Sequence, residues 1–310
     1  MINKNSAVAI LGAGAWGKAL KTLARNNVND VRLFSRRGCQ TLVQTVEGAD
    51  IILSAVSIKG VRDIVSQLKS LSIPPQTIFV TATKGLDPET TCTPSQIWQE
   101  SFPNHPVVVL CGPNLSKEIT QELPAATVVA SHIESAAESV QLVFNSTRFR
   151  VYTNSDPLGV ELGGTLKNVM AIAAGVCDGL ELGTNAKAAL LTRGLTEMVR
   201  IGVDWGAKPE TFYGLSGLGD ILATCNSPLS RNYQVGYQLG QGKTLKEILL
   251  QLKETAEGVN TAKVLVQRAK QQNISMPITQ EVYRLLKAEI TPRQALLDLM
   301  TRDIKPEVDS

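Results

Sequence analysis

Lys167 is the residue whose surroundings in the sequence most suggest chemistry. The stretch Val160 to Val176, VELGGTLKNVMAIAAGV, reads as one long helix in which Leu162, Leu166, Val169 and Ala173 recur at helical spacing and mark a core face. After Glu161 its single charge is Lys167, and the residues on the lysine's own side, Gly163, Gly164, Met170, Ala171 and Ala174, are mostly small. Small neighbours leave room for a ligand. The usual reading of a lone helical lysine is one that carries its head to water over an apolar stem; Asn168 beside it and the glycine pair before it weigh against that reading, and the rest of the chain decides between the two.

Two later stretches supply what such a lysine would need. Gly214-Leu215-Ser216-Gly217-Leu218-Gly219-Asp220 is too glycine-dense for a helix, so it is expected as a loop that brings backbone close to a partner and delivers Asp220, with Thr224 one helical turn on. A glycine-rich connector with an exposed Asp is the alternative. In Ser227-Pro228-Leu229-Ser230-Arg231-Asn232, Ser230 is a natural N-cap for the helical segment that follows. Free N–H groups, the positive end of the helix dipole, Arg231 and Asn232 would together suit a phosphate.

A second anion site is expected near the N-terminus. The apolar run Ala7 to Leu11 ends in Gly12-Ala13-Gly14-Ala15-Trp16-Gly17 and is followed by a helix-compatible segment, which is G-x-G-x-x-G in the strand-to-helix context of a dinucleotide site. Gly12 permits the tight turn, Gly14 lets backbone approach a pyrophosphate, and Gly17 lets helix and strand pack closely. The next strand, Val31 to Ser35, runs into Arg36 and Arg37 where an NAD-specific site usually has Asp or Glu. Two guanidinium groups suit a 2′-phosphate, so NADP(H) is favoured and NAD(H) remains open.

The elements that position these residues alternate. Further short apolar runs at Asp50 to Val56, Thr77 to Thr81, Pro106 to Leu110, Ala126 to Ala130 and Phe149 to Tyr152 are interleaved with helix-like segments such as Gly60 to Leu71 and Ser135 to Phe144. The pattern predicts an α/β fold with a doubly wound, largely parallel Rossmann-type sheet, whose ligands sit off the carboxyl ends of the strands. Lys84-Gly85, and Gly112-Pro113-Asn114 with Ser116 close behind, fall at such ends. From Asp156 onward the strand signal stops and the chain reads as helices, from Pro157 to Leu180, Asn185 to Trp205, Ser230 to Leu239, Leu245 to Leu252, Thr261 to Gln272, Thr279 to Ala288 and Pro292 to Arg302. The expected organisation is a dinucleotide-binding domain over 1–155 and an all-α substrate domain over 156–310, with the cleft between them. Only the tail, Lys305 to Ser310, looks ready to fray.

Composition sets the bounds. At 310 residues and 43% hydrophobic the chain can fill two cores, and a net charge of +3 is too mild for a nucleic-acid or membrane-surface protein. Five scattered cysteines without a C-x-x-C pair suggest neither a disulfide framework nor a zinc site, and a reducing cytoplasm fits best. The two histidines, His105 and His132, lie far apart without acidic partners at ligand spacing, so no metal is expected. No signal peptide is evident at MINKNSAVAIL, and no window reads as apolar enough to span a bilayer.

Read together and in this order, GAGAWG, SRR, ATKGL, CGPN, GGTLKNVMAIAAG, GLSGLGD, SRN and AEGVNTAK resemble the bacterial-type NAD(P)-dependent glycerol-3-phosphate dehydrogenases over almost the whole chain. The resemblance implies a Rossmann domain followed by a helical domain of the 6-phosphogluconate-dehydrogenase type. It also implies that Ala15 and Trp16 with Arg36 and Arg37 bind the dinucleotide, that Lys84 touches cofactor and substrate, and that Gly112 and Asn114 line the glycerol phosphate site with Ser116 on the cofactor side. Lys167 would be the acid/base, supported by Asp220, with Asn168 and Thr224 beside the substrate. Ser230, Arg231 and Asn232 would hold the phosphate, Arg231 also reaching the cofactor. Glu257 would contact the cofactor, on the resemblance alone.

The implied reaction interconverts dihydroxyacetone phosphate and sn-glycerol 3-phosphate with NAD(P)H, supplying phospholipid synthesis in the cytoplasm. It involves a phosphorylated small molecule, no nucleic acid and no stable membrane association, and is compatible with a homodimer. Three departures stand out. Gly112-Pro113-Asn114-Leu115-Ser116 replaces GPSFA, Ala55-Val56-Ser57 lacks the family's proline, and only Arg36 to Ala49 separates the second and third apolar runs, where the family normally inserts a helix and a strand. The shortening bears on the wall around the adenosine half and on NADP preference. The rival readings are an NADP(H)-dependent reductase of another small keto or hydroxy acid and a non-catalytic NADP(H) sensor.

Overall fold

The computed structural model describes residues 3–252, 256–304 and 306–307, so Lys305 and the last three residues of the tail expected to fray lie outside the described part. Seven short runs of mostly apolar and β-branched residues form strands: β1 (Ala7–Leu11), β2 (Asp30–Phe34), β3 (Ile51–Ser54), β4 (Ile78–Thr81), β5 (Val107–Cys111), β6 (Ala125–Ala130) and β7 (Phe149–Asn154). They make one sheet in the order β2-β1-β3-β4-β5-β6-β7. Every pairing is parallel except β5 with β6. Each strand expected from the sequence lies within two residues of an observed one.

The helices of the first half are α1 (Ala15–Ala24), α2 (Leu42–Val46), α3 (Ile58–Lys69), α4 (Pro94–Ser101), α5 (Ser116–Thr120) and α6 (Glu134–Phe144). They cover both faces of the sheet. Alternate residues of the strands point to opposite sides, so Val8, Ile10, Leu53, Val80 and Val108 pack with residues of α1, α5 and α6, while Ala9, Leu11, Ile52 and Phe79 pack with those of α2, α3 and α4. Helix α4 was not anticipated, although Thr93 caps it in a capping box with Gln96 and Pro94 sits in its first turn. Its Trp98 stacks on Phe79 with ring centroids 4.9 Å apart. The short stretch from Arg36 to Ala49 holds α2, started by a second capping box of Thr41 and Gln44.

The remaining helices are α7 (Pro157–Gly179), α8 (Gly183–Asp204), α9 (Asp220–Cys225), α10 (Arg231–Gly240), α11 (Leu245–Leu252), α12 (Glu257–Gln271), α13 (Pro277–Leu286) and α14 (Pro292–Met300). Helix α7 is the axis of this half. The sequence suggested one core face, but α7 is buried on all sides from Val160 to Cys177, because α8, α9, α10 and α12 all pack against it. This makes it the exception to the expectation that no window could span a membrane: by length and composition it qualifies, with a mean hydropathy of 1.2, and the window is 100% buried within the protein. The architecture is therefore a Rossmann-like sheet domain followed by a helical domain.

The glycine-rich stretch before Asp220 is a second correction. Leu215–Gly219 forms a π-helical turn that runs directly into α9, rather than a loop. Glycine costs helix stability in isolation, but here contact decides: a Cβ on Gly217 would lie 2.0 Å from the carbonyl oxygen of Phe212, and one on Gly163 of α7 would lie 2.9 Å from that of Ser216.

Candidate active site

Helix α7 passes the carboxyl end of β5, and four side chains converge there. Lys167 Nζ lies 3.0 Å from Asp220 Oδ1 and donates to Thr224 Oγ1 at 2.5 Å. Thr224 in turn donates to the same Asp220 oxygen at 3.0 Å. From the loop after β4, Lys84 Nζ reaches the other oxygen, Oδ2, at 2.5 Å and the carbonyl of Gly112 at 3.4 Å. Asp220 thus accepts from two ammonium groups and a hydroxyl. Its burial to 2% and that of Lys167 to 6% make this a dry cluster, whereas the Lys84 side chain keeps 25% exposure.

Two lysines around one carboxylate leave one net positive charge, and each group responds. Burial lowers the Lys167 pKa below its ordinary value, and Lys84 lowers it further, outweighing the attraction of Asp220. For Lys84 burial acts in the same sense, but contact with Asp220 overrides it and holds this ammonium more firmly charged than usual. Burial pushes the Asp220 carboxyl up, while the two lysines more than compensate and keep it below the ordinary range. The result is one fixed cation, one fixed anion and one lysine able to release a proton more readily.

The supposed free space beside Lys167 is occupied. A Cβ on Gly164 would sit 2.1 Å from Cys111 Sγ, 3.6 Å from Lys84 Cε and 3.7 Å from Asp220 Oδ2. Gly163 and Gly164 therefore admit protein, not ligand, and bring α7 against β5 and the Asp220 turn. The loop carrying Lys84 is equally anchored: Gly85 N donates to Thr165 Oγ1 at 3.1 Å, Leu86 O accepts from Asn260 Nδ2 at 2.9 Å, and Leu86 is fully buried in the helical core. None of Cys111, Thr165, Leu86 or Asn260 is given a role by the sequence reading, although CGPN, GGTLKNVMAIAAG, ATKGL and AEGVNTAK contain all four.

A second group lies where α10 meets α12. Ser230 Oγ caps α10, accepting from Tyr233 N at 3.2 Å. Asn232, buried to 8%, accepts from Gly258 N at 3.0 Å. Arg231 is exposed and acts electrostatically on Glu257, whose carboxylate accepts a hydrogen bond from the backbone N–H of Ile58 at the start of α3. Burial raises the Glu257 pKa against these partners. Asn168, exposed to only 4%, makes no side-chain hydrogen bond among the described residues, so its amide is available to a ligand.

The third group is the glycine turn. Gly12, with φ at +117°, would place a Cβ 2.7 Å from the carbonyl of Ala55, and a Cβ on Gly17 would lie 1.8 Å from the carbonyl of Gly12, whereas one on Gly14 would meet nothing within 4 Å. The turn thus packs tightly on its inner side and is open at Gly14. Helix α1 starts there with no side-chain cap and no acidic residue in its first turn, which fits the pyrophosphate of a dinucleotide. Ala15 begins α1 and Trp16 packs partly against the sheet. Gly12 N donates to Phe34 O at 3.1 Å, linking the turn to the end of β2, beyond which Arg36 and Arg37 are exposed and make no ion pair among the described residues. Ser116 opens α5, which packs on α1. Asn114 differs from expectation in that its amide is engaged by β6, donating to Ala126 O at 3.1 Å and accepting from Thr127 Oγ1 at 2.8 Å.

A glycine turn for a dinucleotide on the sheet, faced by a buried lysine and carboxylate from the helices, is the division of labour of a two-domain nicotinamide-dependent dehydrogenase. The comparisons narrow the class. Residues 37–137 match the family described as NAD-dependent glycerol-3-phosphate dehydrogenase N-terminus, and residues 156–297 match its C-terminus. A glycerol-3-phosphate dehydrogenase (NAD(P)+) of Nostoc sp. is 71% identical over 304 residues, 98% of this chain and 99% of that one; that of Acaryochloris marina is 62% identical over 302 residues, 97% of each. The crystal structure of glycerol-3-phosphate dehydrogenase from Coxiella burnetii superposes with a TM-score of 0.89 at 33% identity, covering 96% of this chain and 99% of its own. The chain belongs to the NAD-dependent glycerol-3-phosphate dehydrogenase family.

Two sequence-based concerns change in this light. The Nostoc relative is matched over 99% of its length, which leaves no room in it for a further helix and strand, so the short connection after β2 is shared. A 2-dehydropantoate 2-reductase from Geobacter metallireducens, representing the rival reductases, has a TM-score of 0.57 at 14% identity over 92% of this chain and 100% of its own, and shares the fold alone.

Proposed function

We propose that the chain catalyses the NAD(P)H-dependent interconversion of dihydroxyacetone phosphate and sn-glycerol 3-phosphate, with the cleft between residues 1–155 and 156–310 as its site. The observation that carries this is the buried Lys167–Asp220–Lys84 cluster. A bound nicotinamide supplies or accepts the hydride at the substrate's central carbon. Lys167 holds the proton for the adjoining oxygen, and its lowered pKa favours donation as that oxygen becomes an alkoxide. Lys84, kept charged by Asp220, stabilises the same developing negative charge. Asp220 and Thr224 fix the direction of the Lys167 ammonium.

The remaining roles divide between phosphate and cofactor. Arg231, with Asn232 and the N-terminus that Ser230 caps, binds the substrate phosphate. Asn168 and the Gly112 backbone orient the carbon chain beside it, and Asn114 keeps that backbone in place through β6. Gly12, Gly14, Ala15, Trp16 and Gly17 hold the dinucleotide, with Lys84, Ser116, Arg231 and Glu257 along its length. Arg36 and Arg37, without acidic partners among the described residues, favour NADP(H) over NAD(H) through the 2′-phosphate. The five free cysteines support a reducing, cytoplasmic setting. Substrate profiling tests the reading: turnover with dihydroxyacetone phosphate and none with ketopantoate is expected, and the reverse preference would overturn it.

A further inference from the structure

A cavity of about 580 Å³ opens in the helical domain between the C-terminal half of α7 and helices α8, α13 and α14, and none of its walls belongs to the catalytic cluster. Ala173 and Val176 of α7, Leu190 of α8, Val282 and Leu285 of α13 and Leu296 of α14 make it apolar. Five charged residues also line it: Arg193, Glu197, Arg200, Glu281 and Arg302.

The two acids are already engaged. Glu197 is buried to 3% and turned to the start of α13, accepting from Ile278 N at 2.6 Å, Thr279 N at 3.1 Å and Thr279 Oγ1 at 2.9 Å. Glu281 is paired with Arg284 at 2.9 Å. Arg200 donates to Ser275 O at 2.6 Å. Arg193 donates one N–H to Glu307 O at 2.9 Å, and neither Arg193 nor Arg302 has a carboxylate partner among the described residues. An apolar chamber within the size range of ligand sites is thus bordered by two guanidinium groups, Arg193 and Arg302, whose charge no carboxylate among the described residues pairs with. A neutral apolar ligand would leave those charges unanswered, and a short anion would leave the apolar walls unfilled.

We propose that this cavity binds a single-chain anionic amphiphile, namely a fatty carboxylate, with the alkyl chain between α7, α8 and α13 and the carboxylate at Arg193 and Arg302. Because α7 carries Lys167 on its preceding turns, the ligand would pack against the helix that holds the catalytic lysine.

The test is calorimetric titration of the purified full chain with octanoate, decanoate and dodecanoate below their micellar concentrations, alongside dodecanol. Saturable binding of one molecule per chain is expected, tightening about fourfold per added methylene, with dodecanol at least tenfold weaker than dodecanoate. Ala186→Phe, which fills the chamber, should abolish binding, and Arg193→Gln with Arg302→Gln should weaken dodecanoate about tenfold without affecting dodecanol. Thermal unfolding and dehydrogenase turnover verify that each variant is folded, and Ala189→Trp provides a second obstruction if Ala186→Phe is not. Absence of saturable binding, or binding that survives the obstruction in a folded variant, would overturn the proposal. So would a wild-type dimer that Ala186→Phe converts to monomer while no fatty acid binds, since the cavity would then seat a second copy.

Discussion

Cys111 Sγ occupies the space that a side chain at Gly164 would need, 2.1 Å from where its Cβ would stand. This contact seats α7 on the end of β5 and so sets the distance between Lys84, carried by the sheet domain, and Lys167, carried by α7. Gly164→Ala should destabilise the protein by about 2 kcal/mol and lower turnover together with it. Cys111→Ala removes the opposing sulfur, so the double variant should recover about 1 kcal/mol of that loss. Strict additivity in chemical unfolding would show that the two positions do not oppose each other.

Glu161 has no role in the proposed chemistry but has a measurable consequence. It is buried to 2% and accepts from Ser95 N at 2.9 Å and Ser95 Oγ at 2.5 Å, tying α4 to α7. Burial pushes its carboxyl from an ordinary 4.5 up to about 7, against the hydrogen bonds of Ser95 and Thr93. The folded state therefore holds this proton at pH values where the unfolded chain has released it. The ionisation penalty is absent below pH 4.5, grows as pH rises toward about 7, and is complete above that, at about 3 kcal/mol. Urea unfolding from pH 4.5 to 8 should show a decline in wild type that is smaller by about 3 kcal/mol in Glu161→Gln, the buried Glu197 and Glu257 contributing the remainder in both. Parallel profiles would contradict this.

Arg231→Ala should raise the KM for dihydroxyacetone phosphate by about ten- to a hundredfold, the loss of one charge-assisted contact, with a smaller effect on kcat. An unchanged KM would remove Arg231 from the phosphate site.

Arg36→Ala and Arg37→Ala should each raise the KM for NADPH about tenfold and leave that for NADH nearly unchanged, because only the former carries a 2′-phosphate. Equal losses with both cofactors would mean that the arginines serve the common part of the dinucleotide or the fold.

Much of the architecture was legible because strands and helices announce themselves locally. The runs at β1 and β4, the capping serine at Ser230 and the start of α7 at Pro157 depend on near neighbours in sequence. What was not legible depended on partners. The period of α7 suggests one buried face because periodicity cannot show that helices from both halves of the chain surround it. GLSGLGD reads as a loop because its glycines lower helix propensity, whereas their role is close approach to Phe212 and α7. Lys167 and Asp220 stand out as candidates from residue type and setting, but Asp220's hold on Lys84, 136 residues away, requires the fold.

The central claim is that Lys167 carries the proton in dihydroxyacetone phosphate reduction. Its most direct test is the consumption of NADPH and of NADH by the purified protein given that substrate, with Lys167→Ala measured in parallel and cofactor binding followed separately. Wild-type turnover, a loss of about 10²- to 10⁴-fold in kcat in the variant and unchanged cofactor affinity are predicted. Turnover that survives in Lys167→Ala, or tight NADPH binding by the wild type with no turnover, would contradict the account.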